Sequence, residues 1–500
     1  MSFPRSASFR AVLLLAAAVS LSAHIGSPDI YFDGNAGPYK LFVTIRPPTA
    51  IPGVAELEVR AADGEITAMD ATPMPMTGPG AKYAPRPDAL HRSPQDAQFF
   101  TGSLWLMASG AWEVRIHVTG ARGEATLPVP VPAVARQTKQ MQLGLGLGLL
   151  GLMCFLVIGM VAIVGASVRE AQLDAGLAPT DTRKTRAKIA MTIAGVLIVL
   201  VLWQGRQWWN SEASAYGQYV YKPLNMTATL ETGDMLALRL SDPGWLRSRR
   251  NDDFIPDHNH LMHLYVIRQP GMDVVFHLHP VLSGPGEFQL RLPHMPGGEY
   301  RLYADVVHAS GLAETAVTTI SLPEVTGHTM TGDDAGGSAS AITSSGAELG
   351  NEFGLPDGYR MVWVREAQPL VAKRAYSFRF RLVDGHGGAP GDMAFYMGML
   401  GHAAFVKTDG SVFAHIHPIG TVAMASYMMA QGQTGNGNGM AMAMPGMDHP
   451  GMVHGEAVAS ALPNEVSFPY GFPTPGRYRI FVQMKHGDTV ETGIFDTDVR

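Results

Sequence analysis

The sequence predicts a mainly β protein: three antiparallel β-sandwich (Ig-like) domains, with two transmembrane helices between the first and the second. Three observations lead to that class. Short stretches that alternate apolar and polar residues between Gly and Pro turns recur along most of the chain, as half-buried strands do. Two long apolar runs, 141–168 and 189–205, interrupt them and suit a bilayer. Beyond the second run an extended motif occurs twice, and a repeat of that length means two copies of one fold.

Composition narrows the possible functions. A chain of 500 residues has room for about three domains. A net charge of −6 over that length offers no basic face, so nucleic acid is not an expected partner. The single cysteine, Cys154, falls within an apolar run; disulfides therefore do not hold the domains together, and any metal must be bound by nitrogen, oxygen or thioether. Such donors are plentiful, with 18 histidines and 28 methionines.

Residues 1–23 read as a signal peptide: Arg5 and Arg10 precede AVLLLAAAVSLSA, which is too short to span a bilayer and ends in small residues. Cleavage there would make His24 the new N-terminus, where a frayed terminal residue is a better expectation than a metal ligand. The first sandwich is expected over 24–138, from runs such as YKLFVTIRP, AELEVRA and AWEVRIHVTG. Its His91 and His117 are too scattered for a site, and Met74 and Met76 read as loop packing, so a supporting or partner-binding role is expected.

The span at 141–168 carries no charge, and the span at 189–205 is flanked by Lys188 and Arg206, with Trp203, Trp208 and Trp209 as an interfacial belt. The connector, 169–188, holds Arg169, Arg183, Lys184, Arg186 and Lys188, which makes it cytoplasmic by the positive-inside rule. The sandwiches are then expected on the periplasmic or extracellular side of the inner (plasma) membrane, in agreement with an export signal. Glycines of LGLGLGLLG (143–151) are expected where the two helices approach. No ionisable group lies inside either span, which argues against an ion path.

The repeat occupies 211–325 and 351–500, joined by a Gly/Ser/Ala/Thr-rich stretch, 326–350, that reads as a flexible linker. HLYVIRQPGMDVVFHLHP (263–280) answers HAAFVKTDGSVFAHIHP (402–418). Upstream, LRLSD (238–242) answers FRLVD (380–384); downstream, GEYRLYADVVH answers GRYRIFVQMKH. Asp409-Gly410 between apolar runs signals a hairpin, and residues i and i+2 of a strand point the same way. Each His-x-His pair therefore projects two imidazoles from one face, and a closed hairpin returns the first histidine of the motif beside them. Four histidines fall at matched places: His263, His277, His279 and His308 in one copy, and His402, His415, His417 and His486 in the other. A lone strand histidine is ordinarily a hydrogen-bonded residue, whereas matched sets of four point to a metal in each copy. Just ahead, DHNHLMH adds His258, His260 and Met262, as further ligands or as caps of a polar loop, and Met397 and Met399 could bring sulfur to His402.

The second copy also carries an insert, 419–464, that cannot bury a core of its own. Its Met440, Met442, Met444, Met447, His449, Met452 and His454 space thioethers and imidazoles for capture by a mobile chain. Thioether prefers Cu(I), and imidazole serves copper or zinc, so copper is the expected metal and zinc the alternative. The hairpin GHAAFVKTDGSVFAHIHP resembles the YtkA-like and FixH-like β-sandwich domains of exported bacterial proteins, several of which are linked to copper handling. That resemblance implies ligand positions at His402, His415 and His417 and at their counterparts His263, His277 and His279. MPGMDHPGMVHG is similar to the Met/His-rich loops of periplasmic copper-resistance proteins.

The expectation is a membrane-anchored periplasmic copper-binding protein that buffers, delivers or confers resistance to copper, without enzymatic activity. Its partners would be the copper ion, the bilayer and an envelope copper-handling protein. Two alternatives stay open. One is a copper-dependent oxidoreductase of the envelope, although no nucleophile arrangement is visible. The other is a metal-free tethered scaffold that docks an envelope partner.

Overall fold

Alternating runs become strands along most of the chain, which is mainly β with several sheets. The computed structural model describes residues 24–25, 29–62, 66–174, 176–246, 249–342, 350–366, 368–432 and 462–500. The signal segment, and Met440, Met442, Met444, Met447, His449, Met452 and His454, lie outside the described residues. There are two compact units, one of Ala135–Tyr221 and one of Met1–Val134 with Lys222–Arg500.

The smaller unit is a pair of helices, α1 (Leu143–Glu170) and α2 (Asp181–Gly217), both long and apolar enough to cross a membrane. Helix α2 starts well before its apolar run. The Thr180 hydroxyl accepts a hydrogen bond from the Arg183 amide, and Asp181 stands in the first turn, where a carboxylate favours the helix dipole. Arg183, Lys184, Arg186 and Lys188, expected in the connector, are therefore helical, and only 171–180 joins the helices. The helices meet at Gly165, where an added Cβ would lie 2.5 Å from Met191 Sδ; the glycines at 144, 148 and 151, expected at the contact, face open space.

In the larger unit, the N-terminal strands build a five-stranded and a four-stranded sheet. Alternation sets their inner faces: Gly53–Ala61, for example, buries Ala55, Leu57, Val59 and Ala61.

The repeat appears as two matching sets of three antiparallel strands. The first set is β1 (His263–Gln269), β2 (Val274–Leu278) and β3 (Gly298–His308), with β1 in the middle. The second is β4 (His402–Lys407), β5 (Val412–Ile416) and β6 (Gly476–His486), with β4 in the middle. One face of each set covers its own core: Leu264, Val266, Phe276 and Leu302 in the first, Phe405, Ala414, Ile480 and Val482 in the second. The opposite faces pack on each other. Tyr265, Ile267, Val275 and Tyr303 join Ala404, Val406, Phe413 and Phe481 in one apolar cluster, and the Tyr303 and Phe413 rings stack 4.1 Å apart. This shared face decides where the histidines go. His263 precedes Tyr265 by two and His277 follows Val275 by two; His402 and His415 stand in the same relation to Ala404 and Phe413. The period of two therefore delivers all four to the junction between the repeats.

The junction is tied by Arg479, which is fully buried. Its guanidinium donates to both Asp496 oxygens at 2.6 and 2.8 Å, and to the carbonyls of Met272 and Ser340 at 3.0 and 2.9 Å. Two other segments depart from the sequence reading. Within the stretch read as a linker, Ala335–Ser338 forms a strand on the outer edge of β2, because β2 otherwise has an open edge. Within the insert, a short helix, α3 (Met424–Ala430), buries Met424, Ala425 and Tyr427, and the Tyr427 ring lies 5.0 Å from that of Phe32.

Candidate metal centre

Among the described residues, two groups of three histidines have ligand atoms within 4.8 Å of one another: His263, His277 and His279, and His258, His402 and His417. The first group comes from one copy of the repeat, as its spacing predicts. The second draws His258 from the other copy, which the spacing does not predict.

The crossover rests on a pair of matched turns. Asp257 and His260 exchange backbone hydrogen bonds, as do Tyr396 and Met399. Both turns need two residues at positive φ: His258 and Asn259 at 50° and 70°, Met397 and Gly398 at 50° and 78°. Each turn reaches into the opposite repeat. His258 sits between the rings of His402 and His417, with centroids 4.9 Å away in both cases, and its Nδ1 donates to the Met397 carbonyl at 2.8 Å. In return, the Tyr396 hydroxyl lies 3.2 Å from His277 Nδ1. The second turn thus presents a phenol and two buried methionines, Met397 and Met399, where the first presents Asp257, His258 and His260. A sequence reading leaves His258 and His260 ambiguous; aligning the two turns on His263 and His402 would have singled them out.

Hydrogen-bond partners fix which ring nitrogens carry protons. Carbonyl oxygens only accept, so His258 and His417, which face the Met397 and Val422 carbonyls through Nδ1, keep a lone pair on Nε2. The Nε2 atoms of His258, His279, His402 and His417 are enclosed, with no hydrogen-bond partner among the described residues. Buried polar atoms are rarely left so.

The first group carries a sharper conflict. His263 Nε2 donates to the Asp257 carbonyl at 3.0 Å, which leaves a lone pair on Nδ1. His277 Nδ1 faces the Gln483 side-chain oxygen at 2.9 Å and the Tyr396 oxygen, whose own proton goes to the Asp333 carbonyl at 2.8 Å. His277 therefore donates through Nδ1 and keeps a lone pair on Nε2. These two lone pairs, on His263 Nδ1 and His277 Nε2, face each other at 3.1 Å. A cation relieves that repulsion.

Outer partners hold the remaining rings in place. His279 Nδ1 lies 3.0 Å from Asp334, His415 Nδ1 lies 3.1 Å from Asp305, and His260 Nε2 lies 3.1 Å from Asp333. Carboxylates behind imidazoles are the usual orienting shell of a metal site. Burial, reinforced by neighbouring imidazoles, holds the pKa values of His258, His263, His277, His402 and His415 well below the ordinary histidine range. They are neutral at pH 7, the form that binds metal. Burial also pushes the Asp305 carboxyl up to about 7. A cavity of about 130 Å³ opens beside the rings, lined among others by Asp257, His260, His263, Asp305, His415 and His417.

His308 and His486, the fourth matched pair, stand outside both groups. His308 is held by Asp253 and Glu314, each at 2.8 Å, and Glu314 also receives Arg249. His486 faces Asp392 and Glu491 at 3.3 and 3.4 Å. With both ring nitrogens committed to carboxylates, each clasps the end of its strand.

Comparison with known proteins adds little to this geometry. Residues 355–500 match the model of a family described as a domain of unknown function, DUF8832. No curated protein matches the chain. Among solved structures, similarity extends to a tetra-tandem repeat from the extending region of a large adhesion protein, at 7% identity over 90% of this chain and 71% of that one, with a TM-score of 0.16. It also extends to the native conformation of E. coli alpha-2-macroglobulin, at 10% identity over 94% of this chain and 23% of that one, with a TM-score of 0.20. Likenesses at that level carry no argument about fold or function.

Proposed function

We propose that this chain is a membrane-anchored copper-binding protein of a bacterial envelope, in which the two repeat sandwiches hold copper in order to buffer it, deliver it or protect against it. The observation that carries this reading is the 3.1 Å approach of two lone pairs, His263 Nδ1 and His277 Nε2, inside a set of buried neutral imidazoles. A metal-free scaffold has no need of that arrangement, and burying it costs stability unless a cation is present. Imidazole accepts either copper or zinc; the methionine-rich insert, as a soft-donor segment of the same chain, favours copper. In this reading the signal segment is cleaved, α1 and α2 cross the inner membrane, and an N-terminal sandwich and both repeats face the periplasm.

The test is titration of the full chain, purified in detergent without a His tag, with Cu(II) and with Cu(I) against a competing chelator. Tight binding by the native chain and its loss in a His263→Ala/His277→Ala/His402→Ala/His417→Ala variant is the expected result. Equal binding by both would overturn it.

The cavity beside the rings favours one second reading, a copper-dependent oxidoreductase. Its volume holds a few waters or one small molecule. Oxygen consumption by the copper-loaded chain with a reductant, no faster than that of the same copper free in solution, would exclude this reading.

A further inference from the structure

We propose that the two histidine groups form one dinuclear copper centre shared between the repeats, rather than two independent sites. The proposal rests on the copper reading above. Within the groups, ring centroids are 4.7 to 5.3 Å apart. Across the groups, three ring pairs are scarcely more distant: His258 to His263 at 6.0 Å, His277 to His402 at 6.2 Å and His263 to His402 at 6.5 Å. Two ions held by these rings would be neighbours across a single junction, as in two-metal sites.

His415 fills the space between the groups. Its ring is 5.4 Å from those of His263, His277 and His402, and 4.6 Å from that of His417. Its Nδ1 faces the Asp305 carboxylate, so Nε2 carries the lone pair, 3.2 Å from His402 Nδ1. His402, whose Nε2 has no hydrogen-bond partner among the described residues, donates through Nδ1 to that lone pair, so the link from Asp305 through His415 ties both repeats to the second group. The crossing of His258 into the opposite repeat has the same consequence, since neither repeat contains a full second group. Two adjacent cations repel, and carboxylates placed close behind the rings offset that charge: Asp334 behind His279 and Asp333 behind His260.

The experiment loads the full chain with Cu(II), counts bound copper by elemental analysis and measures the EPR signal by double integration. Adjacent Cu(II) ions couple, so two coppers per chain with most of their EPR intensity missing is the expected result. His258→Ala should bind one copper, fully visible by EPR; His402→Gln is the companion variant should the first not fold. Two coppers with full EPR intensity, or one copper in the native chain, would overturn the dinuclear proposal while leaving copper binding intact. A native chain that retains no copper would overturn both.

Discussion

Asp305 and Gln483 stand at matched positions, opposite His263 and His402 across their sheets, and each reaches over the junction to orient a histidine of the other repeat. An orienting partner of that kind is worth about 10- to 100-fold in metal affinity. Gln483→Leu should therefore weaken copper binding by that factor while near-UV circular dichroism stays native; unchanged affinity in a chelator competition would count against the assignment. The buried imidazoles also set a pH dependence. Their folded pKa values lie below the unfolded value of about 6.5, so below that pH the unfolded chain binds more protons than the folded one. The contribution of these rings is thus full above about pH 6.5 and falls as the pH drops towards their folded pKa values, by up to about 1.4 kcal/mol per pH unit for each ring. Asp305, pushed up to about 7, and His308, also raised, act in the opposite sense and offset part of it. Urea midpoints at about pH 7.5 and about pH 5.5 should differ accordingly. At this scale the sequence shows which imidazoles share a face, because that follows from the strand period. It does not show their partners: Gln483 and Asp305 come from the opposite repeat at no fixed spacing. Nor does matching guarantee ligation, since His308 and His486 match as well as the others and are held by carboxylates.

Among the elements, the turn after β5 links the N-terminal sheets to the centre. His417 and Gly420 exchange backbone hydrogen bonds, Asp33 donates to the Ile419 carbonyl at 2.8 Å, and Thr421 donates to the Tyr31 carbonyl at 3.0 Å. Gly420 has φ of 123°, and a Cβ there would lie 1.8 Å from the Tyr31 carbonyl oxygen. Gly420→Ala should therefore push the turn off the N-terminal strand, at a cost of about 2 kcal/mol or more, and release His417. Copper bound by the His263, His277 and His279 group should remain, so elemental analysis should fall towards one copper per chain; an unchanged copper content and melting temperature would show that the turn yields without consequence. Strands were legible here from alternation; the start of α2 was not, because the charged first turns at 181–188 read as connector. The turn at Asp257–His260 was not, because a tight turn with polar residues reads like any polar loop until its twin at Tyr396–Met399 is set beside it.

Across the whole of the larger unit, the second histidine group exists only while the two repeats stay packed, because His258 comes from one and His402 and His417 from the other. On the copper reading, metal binding and repeat packing would be one equilibrium. A ligand that binds only the packed form stabilises it by about 2.7 kcal/mol at a free concentration of 100 times its dissociation constant. Copper should accordingly raise the melting temperature of the native chain, and a chelator should reverse the rise. Arg479 provides the converse perturbation. It lies outside the histidine cluster, yet it bridges Asp496 to the Met272 and Ser340 carbonyls across the junction. Arg479→Met would leave Asp496 as an unpaired buried charge, a loss of about 3–5 kcal/mol. It should weaken copper binding without touching any ligand, and excess copper should restore part of the lost melting temperature. In His258→Ala, where the shared group is incomplete, the copper-induced rise should shrink even though the junction is intact. A melting temperature that responds to copper equally in all three proteins would mean that the metal sits within a single repeat, and that packing and binding are independent.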